Sequence, residues 1–131
     1  MKYYASKPVE IDGLKKALIR TYVRKEIVMN KNELLEYIET NSAVITIFKN
    51  KVRTDQKVKN KKRQPAKRWN EAKIERTVDK ITDEFINNVY DKLAKGVKAN
   101  RHTTKQQWIT FIEEHEVLDE LEESVIMISF E

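Results

Sequence analysis

His102 and His115 are the only imidazoles in the chain, and there is no cysteine. A zinc or iron site needs several convergent ligands at recognisable spacing. His115 stands among Glu113, Glu114, Glu116 and Asp119. Only Asp119, four residues on, shares its helical face. One imidazole and one carboxylate do not hold a metal, so His115 reads as a helix-surface or half-buried histidine. Glu71-Ala72-Lys73 has the Glu-x-Lys spacing that nucleases use beside metal-binding acids. That chemistry wants the triplet on a strand with another acid upstream. Here it falls in a helical pattern, where charged triplets arise by chance. Gly13 and Gly96 are isolated, so there is no glycine-rich phosphate loop. A Gly-x-Ser-x-Gly elbow and a His-Glu-x-x-His helix are also missing. No cofactor or metal is expected, and an enzyme is the least favoured reading.

The charge distribution is the stronger signal. From Lys49 to Arg68 the chain carries Lys49, Lys51, Arg53, Lys57, Lys59, Lys61, Lys62, Arg63, Lys67 and Arg68 against one acid, Asp55. From Glu113 onward lie eight acids and neither Lys nor Arg. A cationic arm releases counterions when it neutralises phosphates. Lys outnumbers Arg in this run, which favours charge-driven, sequence-tolerant contact over bidentate reading of bases. Trp69 at its end reads first as a core anchor at a helix start and second as a stacking aromatic. The acids offer the opposite chemistry: Glu113, Glu116 and Glu120 would lie on successive turns of one helix, able to dock on a basic groove of another protein.

These residues need elements to carry them. Ile74, Val78, Ile81, Phe85, Val89, Leu93 and Val97 recur in steps of three and four. That stripe predicts one long amphipathic helix over about 66–97, roughly 40 Å in length. Pro65 suits its first turn and Gly96 its stop. Asn30 with Glu33 forms a capping box ahead of Leu34, Leu35 and Ile38, a helix that should stop near Asn41. Thr103 with Gln106, or Thr104 with Gln107, starts another that bears Trp108, Phe111 and Ile112. A further helix is read over about 9–28. Residues 43–48 and 125–130 are short, apolar and β-branched, which favours strands. They would pair with each other, with residues 2–5 as a candidate third strand. The basic run over about 49–65 has no apolar period beyond Val52 and Val58, and reads as a mobile loop.

The expected fold is therefore α+β: a helix-dominated single domain over 1–131 with a small two- or three-stranded sheet. An all-α bundle, in which the short apolar runs are helix ends, is the alternative. The 131 residues and 40% apolar content allow a real core. Two glycines and two prolines argue against a many-stranded barrel. The first ten residues lack the apolar core of a signal peptide, and no apolar run nears the ~20 residues of a membrane span. A cytoplasmic location is expected. The long stripe also invites self-association as a homodimer. Lys-, Glu-, Asn- and Ile-rich proteins of this size are common in phages and mobile elements. Two functions follow: a non-enzymatic accessory protein that binds DNA or RNA through the basic segment, or an inhibitor or adaptor that docks its acidic helix on a nucleic-acid-handling protein.

Overall fold

A computed structural model describes residues 28–130. Among them are five α-helices and no strand: α1 (Lys31–Asn41), α2 (Val44–Lys61), α3 (Glu71–Val97), α4 (Lys105–Glu114) and α5 (Val117–Met127). One 3₁₀ turn, Pro65–Lys67, lies between α2 and α3. The helix read over 9–28 and the strand over 2–5 lie outside the described residues.

The helix starts follow from local chemistry. Asn30 accepts from the Glu33 backbone N–H at 2.8 Å, and Glu33 accepts from the Asn30 N–H at 3.0 Å. Of the two pairs open for α4, Thr104 with Gln107 is used. Asn70 accepts from the Lys73 N–H and caps α3. The long helix thus begins at Glu71, several residues after Pro65. Its stop also differs from expectation. Lys98 provides the left-handed residue, with φ 60°, while Gly96 lies inside the helix. A Cβ there would come within 2.8 Å of the Phe111 ring, so Gly96 serves the close approach of α4 instead.

Among the described residues the expected sheet does not form. Residues 43–48 begin α2, because Val44, Ile45, Phe48, Val52 and Gln56 are buried along one helical face. Tertiary packing of that face overrides the β preference of its first turn. Gln56 is the buried polar residue that completes the period and disguises it in the sequence. The same stripe makes most of the expected basic loop helical. Residues 125–130 divide at Met127. Val125 ends the inner face of α5, and Ile128 leaves in an extended conformation. Lys51 Nζ donates to the carbonyls of Ile126 (2.6 Å) and Ile128 (3.1 Å), where a strand would need a ladder partner. The last carbonyls of a helix commonly find such a cation.

The core lies between α2 and α3, with α1 and α4 packed on α3 and α5 on α2. Leu34, Ile38, Val44, Val52, Val78, Ile86, Trp108, Ile112 and Val125 are almost fully buried. Each large apolar side chain contributes about 1.5–3 kcal/mol by leaving water. Phe48 stacks on Phe85 at 4.2 Å, and Trp108 on Tyr90 at 5.0 Å. The Tyr90 hydroxyl donates to the Met29 carbonyl at 2.7 Å, which satisfies the phenol and ties down the approach to α1. In the α3 stripe Ile74, Val78, Val89 and Leu93 are buried within the molecule, and Ile81, Phe85 and Val97 pack partly against its core. No helix of the described residues is long and apolar enough to cross a membrane.

Candidate nucleic-acid interface

The structure divides the basic segment in two. Lys49, Arg53 and Lys57 recur every four residues and share one face of α2. Opposite them on α3, Asp79, Glu75 and Glu71 recur every four residues in the reverse order. The helices are antiparallel, so the rows meet rung by rung. Lys49 reaches Asp79 at 3.7 Å, Arg53 reaches Glu75 at 2.7 Å, and Lys57 reaches Glu71 at 3.9 Å. The middle rung is bidentate, with a second bond at 3.0 Å. Hydrogen bonds from Arg53 hold the Glu75 carboxyl below its ordinary pKa, against a smaller effect of desolvation. Lys51 caps α5, and Lys59 pairs with Asp55 one turn back at 3.0 Å. These cations already have partners.

The rest gather at the tip of the α2–α3 hairpin. Among the described residues Lys61, Lys62 and Lys67 have no ion pair, and all three are exposed. Their backbone is fixed. The Asn60 side chain donates to the Trp69 carbonyl at 3.0 Å and accepts the Trp69 N–H at 2.8 Å. Arg68 donates to the carbonyls of Arg63 (3.3 Å) and Lys61 (3.1 Å). Arg63 donates to Asn60 at 3.0 Å. Both arginines close the turn through neutral oxygens, and neither has an ion pair among the described residues. Trp69 packs partly on the core, with the Arg63 guanidinium 3.8 Å and the Lys73 ammonium 4.6 Å from its ring centroid. It is an anchor that carries cations rather than an open stacking surface.

Three cations outside the expected set extend this tip. Lys73, Arg76 and Lys80 are exposed on the outer face of α3, at steps of three and four. None has an ion pair among the described residues. The interleaved acids Glu71, Glu75 and Asp79 point at α2 and are held by its bases. In the sequence this stretch looks electrically mixed. The signal that separates it is the pair of opposite-sign rows spaced by four.

The acidic surface is not one helix. α4 ends at Glu114, and Glu116 adopts a left-handed conformation with φ 50° before α5 begins. Glu113 therefore lies on α4, Glu116 at the junction and Glu120 on α5. All three are exposed. The break lets Trp108 and Ile112 pack beside α3 while Leu118, Leu121 and Val125 turn onto the rest of the core. It also separates His115 from Asp119. His115 stacks on Phe111 at 4.1 Å, with Nδ1 3.0 Å from the Phe111 carbonyl. His102 sits in the exposed turn before α4. Among the described residues no group of three His, Asp or Glu could hold a metal ion.

With α3 about 40 Å long, the cationic tip lies at its N-terminal end. The acidic helices pack toward its C-terminal half, where Val117 and Leu121 border a cleft with Val89 and Leu93. This chain matches no protein-family model, no curated protein and no solved structure.

Proposed function

We propose that this protein is a non-enzymatic accessory factor of the cell interior that binds nucleic acid, without strong sequence preference, through the cationic tip of the α2–α3 hairpin. The observation that carries this reading is the division of labour among the bases. The bases from Lys49 to Lys59 already have partners on α2, α3 or α5, while among the described residues Lys61, Lys62 and Lys67 stand without an ion pair on a braced turn. Lysine ammonium groups on a fixed turn suit phosphate contact by charge alone.

The test is binding of labelled DNA and RNA at several salt concentrations. Removing Lys61, Lys62 and Lys67 together as Gln should weaken binding. For a duplex it should flatten the plot of log affinity against log salt by up to ~0.9 for each phosphate no longer neutralised. Lys49→Gln with Lys57→Gln should leave that slope nearly unchanged. Wild-type protein that shows no salt-sensitive binding would refute the proposal. A protein-docking role for the acidic end is the second reading. It is favoured by the exposure of Glu113, Glu116 and Glu120, none of which has an ion pair among the described residues. One stoichiometric protein partner that survives nuclease treatment of a lysate would support it.

A further inference from the structure

We infer that the hairpin tip and the outer face of the first turns of α3 form one continuous surface that takes double-helical nucleic acid by its phosphate backbone. The inference rests on the proposed function and names the ligand class of the same site. Lys61, Lys62, Arg63, Lys67 and Arg68 lie at the tip, and Lys73, Arg76 and Lys80 continue from it along α3. Lys73 joins the two parts, because its ammonium lies over the Trp69 ring that the tip encloses.

Electrostatics make this strip positive. Glu71, Glu75 and Asp79 are paired across the hairpin and turned from the outer face. The strip ends where exposed acids return, at Asp83 and Glu84. Asp83 is moreover engaged with Lys31 at 3.2 Å.

Shape selects the duplex. The cations from Lys73 to Lys80 are set on one continuous helix, about 10 Å along its axis. The tip is braced by the Asn60–Trp69 bonds before any ligand arrives. A helix that spaces cations at regular intervals along its axis matches the regular row of phosphates on a duplex, which carries about one charge per 1.7 Å of its axis. Single-strand binders instead draw on aromatic rings that stack with splayed bases. Trp69 is the only aromatic residue between Phe48 and Phe85, and its ring already carries two cations.

The experiment compares a duplex of about 20 base pairs, as DNA and as RNA, with its separated strands over a salt series. It uses wild type and a variant carrying Lys73→Gln, Arg76→Gln and Lys80→Gln, with circular dichroism confirming that the variant is folded. Duplex binding should exceed single-strand binding by about tenfold or more at matched salt. The variant should bind the duplex more weakly, with a slope smaller by up to ~0.9 for each phosphate that it leaves unneutralised. Either duplex meeting these terms supports the inference. Single strands that bind as tightly as both duplexes overturn it while leaving the function standing. An unchanged slope in the folded variant removes α3 from the site and overturns it as well. Absence of salt-dependent binding to every probe refutes the function and this inference together.

Discussion

Lys98 and Glu116 hold φ values of 60° and 50° without being glycine. An L-residue in that region pays about 1–2 kcal/mol. Lys98 ends α3, its N–H donating to the Lys95 carbonyl at 3.2 Å, and glycine is the usual residue for such an end. Lys98→Gly should therefore raise the melting temperature by a few degrees. Glu116→Gly should act in the same direction, and differential scanning calorimetry would read both. The two tryptophans offer a sharper contrast. Trp108 is 2% exposed, so Trp108→Ala should cost about 3–5 kcal/mol. Trp69 is only half-buried. Its replacement by Ala should cost less and should disorder the cations that its ring carries, so nucleic-acid affinity should fall even where the fold persists. Urea unfolding beside a binding titration would separate these effects.

At the scale of elements, α1 and α4 are the parts most readily read from sequence. Asn30 with Glu33 and Thr104 with Gln107 announce their starts through side-chain oxygens at fixed offsets. α3 shows itself by its stripe. α2 does not, because Val44, Ile45 and Phe48 look like a strand and Gln56 interrupts the apolar period that would reveal a helix. The α4–α5 break is hidden for another reason. The residues around it are acidic and helix-compatible, and only the need to turn two apolar faces onto the core forces it. The ion pairs across elements carry a pH dependence. Burial pushes the Glu33 carboxyl up, but hydrogen bonds from Lys105 and the Asn30 N–H outweigh it, and the group titrates below its ordinary value. A carboxyl depressed in the folded state contributes stability above its unfolded pKa and loses it as pH falls through the folded one. Glu33→Gln should therefore be less stable than wild type at neutral pH, with the difference shrinking below the ordinary glutamate range. Denaturant titrations at a series of pH values would show the two curves converging on the acid side.

At the scale of the molecule, charge segregation is legible in the sequence, but its effective sign map is not. Along the chain the ten bases of the basic run look equivalent. The antiparallel register of α2 on α3 pairs Lys49, Arg53 and Lys57 and leaves Lys73, Arg76 and Lys80 on the outer face without an ion pair among the described residues. No composition window shows this, since the pairing depends on which helical faces meet. The result is a cationic tip and an acidic region set toward opposite ends of α3. Such a molecule should orient in the field of a polyanion tip first, with its acidic end repelled. Association should therefore slow as salt rises, since charges beyond about 10 Å are screened at 0.1 M.

The most direct measurement is a two-dimensional NMR titration of isotope-labelled protein with a short duplex at low salt. Amide shifts are expected to concentrate in residues 61–69 and 73–80, with those of 113–123 unmoved. Shifts confined to the acidic residues of α4 and α5, or none at all, would contradict the assignment of the cationic tip as the nucleic-acid interface.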